Sequence, residues 1–163
     1  MKFGYFDHEN REYVITRPDT PLPWINYLGA QSYCGLMSNT AGGYSFYKDA
    51  KERRITRYRY NNIPYDRGGR YIYVKDKETS KFWSVSWQPT NIAEKDGYQY
   101  ECRHGLGYTV IQSTYENIHT RTTYFVPLNE DLEIWKCEIT ALPEGGRGTR
   151  ELSVFSFIEF CLW

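Results

Sequence analysis

The 163-residue chain has 20 basic and 20 acidic residues and a formal net charge of zero, which argues against a protein whose main task is to bind a polyanion. Its mean hydropathy is −0.68, and no apolar run approaches the roughly 18 residues of a membrane-spanning helix. The N-terminus also lacks the apolar core of a secretion signal. We therefore expect a cytoplasmic protein with no nucleic-acid partner and no membrane partner.

A period-two alternation of side chains dominates the chain and is typical of β-strands. In chain order it predicts strands over residues 13–16, 53–60, 70–74, 82–87, 98–103, 108–113, 122–126, 133–139 and 152–163. Turn residues separate these segments, and residues 50–54 form the only short helical candidate. The pattern predicts an all-β fold, an antiparallel sandwich or barrel, in one domain.

The alternation also indicates which faces of the strands are buried. Within 82–87, Trp83, Val85 and Trp87 share one face. Within 133–139, the apolar face carries Trp135, Cys137 and Ile139. Residues 152–163 are apolar on both faces, which predicts a central strand. Because this apolar run closes the sequence without a polar tail, we expect a chain cut inside its domain.

A segment rich in Tyr and Arg, residues 40–61, is the most unusual part of the sequence. Flat rings interleaved with guanidinium groups are suited to sugar rings, hydroxyls and anions. The same composition could bind nucleic acid or could cover one face of a sheet. Alternation places Arg53, Ile55, Arg57 and Arg59 on one side, so this strand is not expected to lie wholly in a core.

Few residues suggest catalysis or metal binding. The four cysteines form no CxxC pair, which favours reduced, buried thiols over a zinc site. Alternation puts Glu101 and Arg103 on one side of a strand and His104 on the other, and we expect His104 to order a loop or to contact a ligand. No GxSxG motif occurs, and Gly42-Gly43 is more simply a turn than a phosphate-binding loop.

Three prolines fix an extended path before Trp24 in the segment TRPDTPLPWINYLG, residues 16–29. A rigid backbone of this kind can aim the indole ring. We expect the ring to pack under a sheet rather than to form a sugar platform.

Four strings of sequence resemble the amino-terminal part of the glycoside phosphorylases typified by cellobiose phosphorylase. They are TRPDTPLPWINYLG, SNTAGGYSFYKDAKERRITRYRYN, FWSVSWQP and ECRHGLGYT, in this order. The resemblance implies a β-supersandwich of the galactose-mutarotase-like kind, which is followed in the family by an (α/α)6 barrel. It also implies a cytoplasmic homodimer that needs no metal and no cofactor.

The resemblance implies a reaction as well. A catalytic Asp on the barrel protonates the glycosidic oxygen, and inorganic phosphate, a co-substrate, attacks the anomeric carbon and inverts it. Cellobiose would then give α-glucose 1-phosphate and glucose. The barrel is absent from this chain, so we assign no catalytic residue and expect the chain alone to be inactive. A stand-alone carbohydrate-binding sandwich is the alternative, and a nucleic-acid-binding β-domain is a second rival.

Substrate-binding candidates come from two of the four strings. Unpaired guanidinium groups are costly to bury, so we expect the candidates to lie at a substrate-facing or subunit-facing edge. The alternative is that the arginines pair with the domain's own carboxylates on a solvated sheet face. The candidates are Tyr47, Arg57, Arg59, Arg103 and His104.

Overall fold

A computed structural model describes residues 2–29, 31–59, 68–143 and 149–161. Within these residues there are twelve strands and one 3₁₀ turn, Glu94–Asp96. The strands are β1 (Gly4–Asp7), β2 (Glu12–Ile15), β3 (Ile25–Leu28), β4 (Tyr33–Ser38), β5 (Ser45–Tyr47), β6 (Tyr71–Asp76), β7 (Phe82–Ser84), β8 (Gln99–Gly105), β9 (Tyr108–Tyr115), β10 (Ile118–Phe125), β11 (Ile134–Ala141) and β12 (Leu152–Phe157). The predicted all-β fold is confirmed.

The twelve described strands form three antiparallel sheets. One has six strands in the order β1-β2-β8-β9-β10-β11, and the other two have the orders β3-β4-β5 and β12-β6-β7. A bridge between Gly42 and Gly69 connects the two small sheets. The backbone N–H of Arg70 also donates to the Ala41 carbonyl at 3.0 Å. The two small sheets therefore lie beside each other.

Both small sheets cover the same face of the six-stranded sheet. On β10, Ile118 and Tyr124 point to one face because they are six residues apart in a period-two strand. Tyr124 packs in a cluster with residues of β3 and β4, whereas Ile118 packs in a second cluster with residues of β6 and β7. The result is a two-layer sandwich with two adjoining cores.

Side-chain alternation predicted the second core well. Trp83 and Val85 are fully buried in it, and Trp135, Cys137 and Ile139 pack against it. Strand β7 nevertheless ends at Ser84. The chain turns there, and Trp87 adopts a φ of 73° that no strand accommodates.

Three predictions about elements were wrong. Residues 53–59 form no strand and make only isolated bridges through Arg54 and Thr56, while Tyr60 lies outside the described residues. Residues 50–54 form a turn instead of a helix. Strand β12 ends at Phe157 and occupies the edge of its sheet, so it is not a central strand; the last two residues predicted for it, 162–163, lie outside the described range.

Strand β12 and the residues that directly follow it expose large apolar side chains at that edge. Val154, Phe155, Phe157 and Phe160 are all more than two-fifths exposed. The opposite edge of the same sheet, β7, has one such side chain, Phe82. An apolar edge with free backbone groups is a template for association with another strand.

We expect the isolated chain to self-associate through β12. Phe155→Lys should shift the population toward monomer, because a charge on an edge strand opposes edge-to-edge pairing. Phe82→Lys, the same exchange at the other edge, is the control and should change association little. Sedimentation velocity over a range of concentrations measures both variants. A wild-type chain that stays monomeric would contradict the prediction.

Candidate functional site

The Arg/Tyr segment connects a small sheet to the chain that follows β12. The Ile55 N–H donates to the Ser45 carbonyl at 2.8 Å, and the Arg57 N–H donates to the Glu159 carbonyl at 2.9 Å. The Cys161 N–H donates to the Ile55 carbonyl at 2.9 Å. Segment 53–57 is therefore held from both sides by backbone hydrogen bonds, which satisfies polar groups that a regular strand would pair.

Arg57 and Arg59 meet at one carboxylate. Arg57 Nη1 lies 2.9 Å and Arg59 Nη2 lies 2.8 Å from Oε1 of Glu159. Hydrogen bonds from the two arginines lower the pKa of Glu159, and the bond from Arg59 has the larger effect. Both arginine side chains are 52% exposed. They pair with a carboxylate of the domain, yet they keep surface that a ligand or another chain can reach.

Tyr47 ends strand β5, where the ammonium of Lys48 lies 4.9 Å from the centre of its ring. Beside this strand, Tyr44 forms ring contacts with Phe46 and Tyr58 at 5.9 and 4.9 Å between centroids. The aromatic part of the segment thus packs largely on itself. Of the five candidates, the structure brings together only the two arginines that share Glu159.

Arg103 lies on the outer face of the six-stranded sheet, among three carboxylates. Its guanidinium donates to Glu101 at 2.7 Å, to Glu12 at 2.9 Å and to Asp7 at 3.2 Å. The hydrogen bonds to Glu101 and Glu12 raise the pKa of Arg103. This arrangement matches the alternative interpretation of Arg103, in which the domain's own carboxylates satisfy the charge.

His104 lies on the opposite, core-facing side of the same strand, as the alternation predicted. Nε2 is 2.9 Å from the Trp24 carbonyl, and Nδ1 is 2.9 Å from the Thr109 hydroxyl. A carbonyl only accepts, so Nε2 carries the proton and Nδ1 accepts from Thr109. Burial lowers the pKa of His104, although the bond to Trp24 opposes the shift. The neutral ring ties β8 to the segment that enters β3.

The indole of Trp24 packs against the first core, as predicted, and makes an edge contact with Phe3 and a tilted contact with Tyr13. Gly43 confirms the prediction that the glycine pair forms a turn. Its φ is 102°, and an added Cβ would lie 2.2 Å from the Leu36 carbonyl oxygen. The glycines permit a close backbone approach in the turn between β4 and β5.

The alternation also contains a signal for a buried ion pair that sequence analysis missed. Arg70 lies two residues before the buried Ile72 and four before Val74, and Glu133 lies two residues before Trp135. Because side chains alternate along a strand, each places a charge on the core face of its strand. In the structure the two pair, with Arg70 Nε 2.5 Å from Glu133 Oε1. Their side chains are only 1% and 9% exposed.

Neighbouring groups complete the hydrogen bonds of this buried pair. Arg70 also donates to the Leu36 carbonyl at 3.0 Å, and Glu133 accepts from the Trp135 indole at 2.8 Å and from the Ser45 hydroxyl at 2.5 Å. Burial alone would raise the pKa of Glu133, but the charge and hydrogen bonds of Arg70 outweigh it and hold that pKa below its usual range.

Comparison with known proteins decides the family. The profile of the glycosyl hydrolase 94 supersandwich domain matches residues 11–163. The chain belongs to this family. It is similar to the N,N′-diacetylchitobiose phosphorylases of Vibrio proteolyticus, with 49% identity over 160 residues, and Vibrio furnissii, with 48% over 160. A 3-O-β-D-glucopyranosyl-β-D-glucuronide phosphorylase of Paenibacillus borealis is 38% identical over 154 residues.

These alignments cover 94–98% of this chain but only 18–19% of the three relatives. The chain therefore spans about a fifth of the length of the curated relatives that it matches. Within the described part of the supersandwich domain, no three His, Cys, Asp or Glu residues are grouped to hold a metal ion. No described helix is long and apolar enough to cross a membrane.

We expect Glu133→Gln to destabilise the supersandwich domain strongly. The amide keeps the shape of the side chain but leaves the Arg70 guanidinium buried without a counter-charge. The free energy of unfolding should fall by about 3–5 kcal/mol. Urea unfolding followed by Trp fluorescence measures the loss. Glu138→Gln is the matched control, since Glu138 pairs with Lys136 on an exposed face, and it should change stability little.

The pH dependence of stability tests whether the loss in Glu133→Gln comes from the missing carboxylate charge. Because the pKa of Glu133 is lowered by folding, its stabilisation is complete above the unfolded value of about 4.3 and is lost as the pH falls through the folded value. The stability difference between wild type and Glu133→Gln should therefore shrink in acid. A constant difference would assign the loss to packing alone.

For His104, we expect the stability of the domain to depend on pH. Its pKa is lowered by folding, so the unfolded state binds a proton that the folded state does not. Stability should decline as the pH falls below about 6.5. His104→Gln should flatten this decline in melting temperature, whereas His8→Gln, at a ring that stacks on Phe6 near the surface, should keep it. An unchanged slope in His104→Gln would refute the assignment.

Proposed function

We propose that the protein carrying this domain is an inverting phosphorylase of a β-linked disaccharide. The observation that carries the proposal is the family match, together with relatives that are themselves named phosphorylases. In the proposed reaction, inorganic phosphate attacks the anomeric carbon while an acid protonates the glycosidic oxygen. The products are an α-sugar 1-phosphate and a free sugar.

The identity of the disaccharide is a separate question. The sequence motifs led us to expect cellobiose, whereas two relatives carry the name of N,N′-diacetylchitobiose. We therefore propose N,N′-diacetylchitobiose as the preferred substrate and keep cellobiose as the alternative. The two differ by acetamido groups in place of hydroxyls, so a site built to hydrogen-bond one amide discriminates strongly between them.

The geometry favours a structural role for this domain rather than a catalytic one. Two of the five substrate-binding candidates are engaged within the domain: His104 ties β8 to the segment that enters β3, and three carboxylates hold Arg103. We propose that the acid lies on an (α/α)6 barrel elsewhere in the protein. We further propose a cytoplasmic homodimer that uses no cofactor, with phosphate as a co-substrate.

A direct assay tests this function. The intact protein is incubated with N,N′-diacetylchitobiose or cellobiose, with and without inorganic phosphate. We expect phosphate-dependent release of an α-configured sugar 1-phosphate, with a higher kcat/KM for the acetamido sugar, and NMR of the anomeric proton identifies the configuration. Cleavage without phosphate would indicate a hydrolase, and a β-configured product would exclude inversion.

Variants of Arg57 and Arg59 test whether this edge of the domain contributes to the proposed reaction. If they bind substrate or border a neighbouring active site, Arg57→Ala and Arg59→Ala in the intact protein should each lower kcat/KM. The decrease should be about tenfold for every ~1.4 kcal/mol by which the variant weakens transition-state stabilisation. The melting temperature should hardly change, because both side chains are half exposed.

Glu159→Gln separates the two roles of these arginines. It removes the shared carboxylate charge and leaves both guanidinium groups in place. Under the substrate role this variant retains turnover. A purely structural ion pair predicts instead that all three variants behave alike, with lower stability and unchanged kcat/KM in the folded fraction.

A further inference from the structure

A cleft of about 390 Å³ lies away from the Arg/Tyr segment. We call it the Trp87 cleft. Residues 16–19 after β2 form one wall, the loop between β7 and β8 forms the other, and Tyr98, Gln99 and Tyr100 form the floor. Its volume is at the small end of the roughly 300–1,000 Å³ that ligand clefts occupy, which suits one or two sugar rings.

Both walls of the Trp87 cleft are fixed by hydrogen bonds. The Trp87 indole donates to the Ile92 carbonyl at 2.9 Å, and the Trp87 N–H donates to the Tyr98 hydroxyl at 2.9 Å. On the other wall, the Pro18 carbonyl accepts from the buried Asn39 amide at 3.2 Å. A cleft that is already ordered loses little conformational entropy when a ligand binds.

Trp87 is the strained residue of this cleft. Its φ of 73° is a genuine outlier for a large side chain. Such a conformation persists only where the surrounding structure determines it, and it is concentrated at binding sites. Here it places an aromatic side chain in the lining of the cleft, and aromatic surface is what packs against the C–H faces of sugars.

The polar lining is suited to hydroxyl groups. Asn91 and Gln99 are among the residues that line the cleft, and the side-chain amide of each can both donate and accept. Neither amide has a hydrogen-bond partner among the described residues. Each is therefore available to a ligand with alternating donors and acceptors, which a sugar provides.

The charge of the lining excludes anionic ligands. Arg17 is the single cation, and Asp19 holds it through two hydrogen bonds of 3.0 and 2.6 Å. Glu94 adds a second carboxylate. The surplus of negative charge repels a phosphate or a uronate. A neutral ligand that is rich in hydroxyls meets no such repulsion.

We propose that the Trp87 cleft binds a neutral saccharide at a site separate from the reaction proposed above. The aromatic side chain of Trp87 packs against the sugar ring, and the amides of Asn91 and Gln99 bind its hydroxyls. The site recognises a single sugar unit or the end of a longer chain of sugars.

The test uses hydrogen–deuterium exchange of the intact protein titrated with methyl β-D-glucopyranoside. Peptides covering residues 16–19 and 91–99 should become protected, and this readout locates binding independently of turnover. Asn91→Gly removes one amide and suits the positive φ of 53° at this position. It should raise the concentration for half-protection about fivefold, the loss expected for one or two neutral hydrogen bonds.

Asn117→Gly is the matched control. Asn117 also has a positive φ, of 60°, and lies exposed in the β9–β10 turn outside the cleft. This variant should titrate like the wild type, and phosphorolysis should be unchanged in both variants. Methyl β-D-glucuronide should protect only at higher concentration than the glucoside.

Three results would overturn the proposal. They are no protection of the cleft peptides, equal protection in Asn91→Gly and wild type, and tighter binding of the glucuronide. The first includes the case in which another segment of the intact protein fills the cleft. Any of them would leave the proposed phosphorylase function standing, because turnover is measured separately.

Discussion

The buried ion pair of Arg70 and Glu133 is the interaction on which the arrangement of the three sheets depends. Arg70 immediately precedes β6, and its guanidinium also reaches the Leu36 carbonyl on β4 and the Ser45 hydroxyl on β5. Glu133 immediately precedes β11 of the six-stranded sheet. Charges with so little access to water persist only when paired and fully hydrogen-bonded. One side-chain network thus sets the position of both small sheets relative to the large one.

The candidate side chains that remain accessible lie at the periphery of the domain. Arg103, on the outer face of the large sheet, pairs with carboxylates of the domain itself. His104, on the core-facing side, is hydrogen-bonded to other residues of the domain. The exposed guanidinium groups of Arg57 and Arg59 lie at one edge, and the Trp87 cleft lies at another place on the surface. A sandwich of this kind keeps its accessible polar groups on loops and edges that a rigid scaffold positions.

Sequence periodicity found five of the six strands of the large sheet, β2 and β8–β11, because one face of each packs against the core. Residues 98–103 and 108–113 were predicted within one or two residues of the starts of β8 and β9. The same rule failed at 53–59, where alternating Arg and Tyr imitate a strand although the backbone makes only isolated bridges. It also missed β1, β3, β4 and β5, three of which have no more than four residues, too short for a period to stand out.

The sequence by itself determined the fold class and the family, since both depend on patterns along the chain: alternation, turn residues and four ordered strings. The tertiary structure alone decided which side chains are available for function. Arg70 and Glu133 are 63 residues apart, and His104 and Trp24 are 80 apart. Whether a guanidinium or an imidazole is free or occupied depends on such distant partners. Their proximity comes from packing of the sheets, which no local pattern encodes.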